Sequence, residues 1–241
     1  MKCLYFSFRN HTLRIPLNSN PQDITELVEI IGNNIKTYCT NREYWYRSNV
    51  LGDPYINCLL EHSPMTVEYF LLEVGDYYGN NEEIRKILEN GNSAFWKSFK
   101  NEYEKKWMSM FANVIAEGLQ DQIQWVYESI IEDDSINNEE KKNRLEKLHN
   151  VLDQLGKAIL DALKSQTPLK ANQILKYADN IAKNAGGSYI NVFKYFLDHY
   201  EHSLNGSAKL EALATLLNSF GGIMYNIDKK INEYNSQQLT Y

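Results

Sequence analysis

Residues 93–131 carry the longest helical pattern of hydrophobic positions in the chain. Apolar residues recur there every three or four positions, first up to Val114 and then again after Gly118. The first stripe is Trp96, Phe99, Tyr103, Trp107, Met110 and Val114, and the second is Leu119, Ile123, Val126 and Ile130. This spacing is typical of a helix that buries one face. We predict one long helix, or two helices in line, with Trp107 in the core.

A heptad pattern follows over residues 139–165. Two series of apolar residues repeat every seven positions, namely Leu145, Leu152, Ile159 and Leu148, Leu155, Ala162. Such a seam packs against another helix, in the same chain or in a second copy. Further helices are predicted over 169–184 and 188–203, and one or two more after Ser207, with Gly221 and Gly222 either as a point of division or as a place of close packing.

The first 91 residues have a mixed pattern. Residues 2–8 and 12–17 alternate in polarity around Asn10 and His11, which predicts a β-hairpin, and helical stripes follow from about Pro21. The predicted fold is therefore mainly α: a small mixed α/β part at 1–91 and an α-helical bundle at 92–241. Because no linker separates them, we expect the two parts to pack together.

Charge is distributed unevenly along the chain. The net charge is −6, but residues 1–134 carry −8 and residues 135–241 carry +2. From Trp107 to Glu140 there is no Lys or Arg, although eight acidic residues lie in this stretch. A negative surface disfavours binding to nucleic acid and suits a basic protein partner. The candidate protein-binding residues are Glu117, Asp121, Glu128, Glu132, Asp133 and Asp134.

Several classes of protein are disfavoured by the sequence. Three cysteines without C-x-x-C spacing indicate a reducing compartment and argue against a zinc site, and no stretch has the roughly 20 apolar residues of a membrane span. Phosphate-binding loops, dinucleotide fingerprints and the common hydrolase motifs are absent from the sequence. We expect a cytoplasmic protein without a membrane segment, cofactor or metal.

One short motif points to chemistry. Arg144 and His149 form an R-x4-H spacing on a predicted bundle helix, and this resembles the signature of HEPN ribonucleases. The resemblance implies that His149 acts as acid and base on a ribose hydroxyl and that Arg144 holds the phosphate, at a dimer interface.

The functional expectation combines these observations. The use of Asn, Lys, Ile and Tyr is typical of an AT-rich genome, and we expect a bacterial or phage origin. Small acidic proteins without catalytic motifs in such genomes are often inhibitors, immunity proteins or anti-defence proteins. We therefore expect a non-enzymatic protein that binds and blocks another protein through an acidic, aromatic-rich surface. A HEPN-like ribonuclease and a structural or assembly subunit are the alternatives, and a homodimer is left open.

Overall fold

The computed structural model describes the backbone of residues 2–8, 11–17, 94–184 and 190–238, and the side chains of residues 101–183 and 191–236. Two strands, β1 (Lys2–Phe8) and β2 (His11–Leu17), pair antiparallel, with Lys2 opposite Leu17 and Phe8 opposite His11. The helices predicted after β2 and before residue 93 lie outside the described residues. The predicted boundary between residues 91 and 92 lies outside them as well. The mixed α/β character of the N-terminal part therefore stays a prediction.

Between residues 101 and 236 the described chain is helical and contains no strand, so the mainly α prediction is confirmed for this part. The five helices are α1 (Ala94–Glu132), α2 (Asn138–Ser165), α3 (Ala171–Asn184), α4 (Ile190–Ser203) and α5 (Gly206–Gln238). The long central pattern is thus one helix of 39 residues. Among the described residues, no helix is both long and apolar enough to cross a membrane.

The chain divides into two compact units, Met1–Phe111 and Ala112–Tyr241. In the first unit, Tyr103, Trp107 and Phe111 are buried, and the rings of Trp107 and Phe111 stack with their centroids 5.2 Å apart. The predicted burial of Trp107 is confirmed, since 8% of its surface is exposed.

The core of the second unit is built around the heptad seam of α2. All six seam residues are buried, and α2 packs against α5 and α3, so the predicted seam is confirmed within one chain. The residues of α5 that are buried in this unit include Leu213, Leu216, Phe220, Ile223 and Ile227. The second stripe of α1 is buried as well.

The ends of α2 follow from local chemistry. The side chain of Asn137 accepts a hydrogen bond from the backbone N–H of Glu140 at 2.9 Å, which satisfies a free donor of the first turn. At the other end Gln166 has a left-handed backbone with φ 55°, and the backbone N–H of Thr167 returns to the carbonyl of Ala162. Pro168 then prevents the helix from continuing.

The start of α5 differs from the prediction, and the question of one helix or two, which the prediction left open, is resolved as one. Asn205 caps the helix through its side chain, which accepts a hydrogen bond from the N–H of Ala208, so the helix begins before Ser207. The helix also continues through Gly221 and Gly222, which are both exposed. A glycine costs about 1 kcal/mol in a helix. The buried residues on the opposite side, Phe220, Ile223 and Ile227, offset this cost.

A close approach joins α1 to α4. A Cβ atom on Gly118 would lie 2.1 Å from a ring carbon of Phe196, which is itself only 3% exposed. The phenyl ring therefore occupies the space that any other residue at position 118 would need.

Candidate protein-binding surface

Four of the predicted binding residues lie along one side of α1. With 3.6 residues per turn, Glu117, Asp121, Glu128 and Glu132 fall within about 60° around the helix and span about 22 Å along it. Glu128 is half-buried and the other three are exposed. We call these four residues the acidic stripe. None of them forms an ion pair with another residue in the part of the chain whose side chains are described.

Trp125 lies beside the acidic stripe. It comes one turn after Asp121 and one turn before Glu128, and 55% of its surface is exposed, although Val126 next to it is fully buried. Exposed tryptophans are enriched as anchors of protein interfaces, because a large rigid side chain gains much from being covered. An exposed indole beside a row of carboxylates complements a surface that carries both apolar and basic groups.

The sequence could have predicted the exposure of Trp125. It falls outside the stripe that contains Ile123, Val126 and Ile130, so its helical position already directs it away from the core. The acidic residues around Trp125 were predicted as binding residues by number, whereas the tryptophan itself was not.

Asp121 differs electrostatically from an ordinary surface carboxylate. Partial burial raises the pKa of Asp121, because the charged form loses some of its hydration. A cationic group placed beside it would lower this pKa again.

The carboxylates of Asp133 and Glu140, by contrast, form ion pairs within the chain. The guanidinium of Arg144 lies 2.9 Å from Glu140 Oε1 and 3.7 Å from Asp133 Oδ2. Hydrogen bonds from Ser135, supported by the charge of Arg144, lower the pKa of Asp133, and the hydrogen bond from Arg144 lowers the pKa of Glu140. Asp133 thus organises the turn between α1 and α2, while Asp134 beside it is exposed.

Lys141 binds the C-terminal end of α1, a helix that has no basic residue of its own in the last turn. Its Nζ donates a hydrogen bond of 2.8 Å to the carbonyl of Ile131, and the side chain is only 8% exposed. The carbonyls of a last turn lack helical partners and carry the negative end of the helix dipole. The ammonium group of Lys141 therefore caps α1 from the first turn of α2, a role that the sequence analysis missed.

Arg144 and His149 contact different neighbours. Five residues correspond to about 140° around a helix, which places them on different sides of α2. Arg144 binds Asp133 in the α1–α2 turn and Glu140 on α2 itself, whereas His149 Nε2 lies 3.4 Å from Asp228 Oδ1 on α5. The two side chains do not converge within the chain, and their cooperation across a dimer stays a prediction.

Neither a search for metal sites nor a comparison with known proteins assigns a function to the chain. Among the described residues, no group of three or more His, Cys, Asp or Glu side chains could hold a metal ion. Comparison of the chain with protein-family models, with curated proteins and with solved structures found no match.

Proposed function

We propose that the protein binds another protein through the acidic stripe and Trp125, and that it acts as an inhibitor of the immunity or anti-defence type rather than as an enzyme. The observation that carries this proposal is the exposure of Trp125 between two carboxylates of a helix whose opposite side is fully buried. The proposed partner has a basic surface with an apolar recess that accepts the indole ring.

The charge of the acidic stripe supports this choice of partner. Its four carboxylates have no cationic partner among the described residues, so the negative potential reaches the solvent. Such a surface would attract Lys and Arg side chains from a distance of about 8–10 Å at physiological salt and would accelerate association. The same potential would repel the phosphates of a nucleic acid.

The geometry of Arg144 is the reason for ranking the ribonuclease alternative second. Its guanidinium already binds two carboxylates, which would have to be displaced before a phosphate could bind. A structural or assembly subunit remains the third alternative, and it would bind its partner without blocking an activity.

The test is a matched pair of charge reversals. In the first variant Glu117, Asp121 and Glu132 are replaced by Lys, and Asp133 is kept because it organises a turn. In the control, Glu146, Asp161 and Asp179 are replaced by Lys. These residues are also exposed and lie on α2 and α3, and their replacement changes the net charge by the same amount. Proteins captured from native cells by the wild-type chain are identified, and association with the purified partner is then followed by surface plasmon resonance.

We expect the stripe reversal to slow association at least tenfold, the control to change it less than threefold, and added salt to weaken wild-type binding. Trp125→Ala should mainly speed dissociation, because a buried anchor is lost. Equal effects of the two triple variants would contradict the proposal. Cleavage of RNA that disappears in His149→Ala, with the fold preserved by circular dichroism, would favour the ribonuclease instead.

A further inference from the structure

A groove of about 350 Å³ lies between α3 and α4. Leu197, which is 3% exposed, forms part of its floor, and Ala171 and Leu175 line the wall on α3. The lining is mostly apolar, and the volume falls in the range of small-molecule sites.

The carboxylates of this groove are already bound within the chain. Glu201 accepts a hydrogen bond of 2.9 Å from the backbone N–H of Ala171 and lies 3.4 Å from Lys209. The hydrogen bond from Ala171 is the main reason why the pKa of Glu201 is lowered. Asp198 Oδ1 lies 3.1 Å from His202 Nδ1. The charge of Glu201 is therefore compensated within the chain, whereas that of Asp198, whose side chain is 71% exposed, is compensated only when His202 is protonated.

The two lysines of the groove have no such partner. Lys170 directly precedes α3 and Lys194 lies on α4; both line the groove and are exposed, and neither forms an ion pair or a side-chain hydrogen bond with another described residue. Two ammonium groups over an apolar floor complement a ligand that carries one anionic group and an apolar body.

We propose that the groove between α3 and α4 binds a small carboxylate with an apolar tail, with the carboxylate between Lys170 and Lys194 and the tail against Leu175 and Leu197. The proposal is independent of the acidic stripe, because the groove shares no residue with it.

The experiment titrates the full chain with three probes that each contain six carbon atoms: hexanoate, hexan-1-ol and hexylammonium. Backbone amide shifts in NMR spectra locate the binding. A ligand of eight non-hydrogen atoms should bind with a Kd on the order of 1 mM. Hexanoate should shift the amides of Leu175 and Leu197, hexan-1-ol should bind about three- to tenfold more weakly, and hexylammonium should bind more weakly still.

Variants test the role of the lysines. Lys170→Gln and Lys194→Gln should each weaken hexanoate binding about two- to fivefold, as expected for exposed ion pairs, and leave the affinity for hexan-1-ol unchanged. Lys183→Gln, an exposed change on the same helix α3 outside the groove, is the control and should have no effect. The proposal is overturned if hexanoate fails to bind at 10-fold the expected Kd of about 1 mM, if hexylammonium binds equally well, or if Lys183→Gln weakens binding as much as the groove variants.

Discussion

Replacement of Gly118 by alanine tests the contact between α1 and α4 most directly. A new Cβ atom would lie 2.1 Å from Phe196 Cε1, whereas carbon atoms pack at about 3.5 Å or more. The ring would have to move by roughly 1.4 Å. Because Phe196 is 3% exposed and packed on its other sides, this movement disturbs the core around it.

Two opposing free-energy changes decide the outcome. Alanine is favoured over glycine in a helix by about 1 kcal/mol, while overpacking a core costs about 1–3 kcal/mol. The required displacement is large, so we place the overpacking cost near its upper end. The free energy of unfolding should then fall by about 2 kcal/mol, which lowers the Tm by roughly 4–8 °C for a chain of this size.

Urea unfolding followed by circular dichroism measures this change, and two variants make it specific. Gly222→Ala lies in α5, where an added Cβ meets no atom within 4 Å, and it should stabilise the protein by about 1 kcal/mol. In a Phe196→Ala background the ring is gone, so Gly118→Ala should become neutral or stabilising. The reasoning is refuted if Gly118→Ala stabilises the wild-type chain as Gly222→Ala does.

Two further predictions concern single side chains. Lys141→Met keeps the apolar stem but removes the hydrogen bond to the carbonyl of Ile131. Denaturant unfolding should show that the free energy of unfolding falls by about 1.5–3 kcal/mol. The control Lys147→Met, at an exposed position, should lower it by less than about 0.5 kcal/mol. Partial burial lowers the pKa of His199 in the folded state, so the unfolded chain takes up the proton first as the pH falls. Stability from this residue is complete above the unfolded pKa of about 6.5 and decreases below it. Between about pH 5.5 and 8 the free energy of unfolding, measured with urea, should therefore change less steeply with pH in His199→Gln than in the wild-type chain. Identical slopes would contradict a lowered pKa of His199 in the folded state.

Elements with strong periodicity were predictable from the sequence. The six seam residues of α2 form two series that repeat every seven positions. Both ends of the helix lie within about two residues of the predicted limits, and Pro168 accounts for the C-terminal end. The continuity of α5 was not predictable in the same way. Gly221 and Gly222 weaken the local helix, and only the burial of Phe220 and Ile223 against other helices overrides that preference.

The candidate site was predictable in part. Position on a helix fixes which carboxylates share a side of α1, so the acidic stripe follows from the sequence alone. The sequence could not separate Asp133 from its neighbours, because that distinction arises when the chain turns and brings Arg144 close to it. The contact of Lys141 with Ile131 likewise depends on the geometry of the turn between two helices.

The packing of α2 against α5 has a consequence for synthesis of the chain on the ribosome. The seam of α2 is complete at Ser165, but its main partner is complete only at Gln238, more than 70 residues later. At about 5–20 residues per second, the nascent chain exposes this row of leucines for several seconds before α5 can cover it. A chain that stops before α5 should therefore associate with chaperones or aggregate, even though every residue of the seam is present.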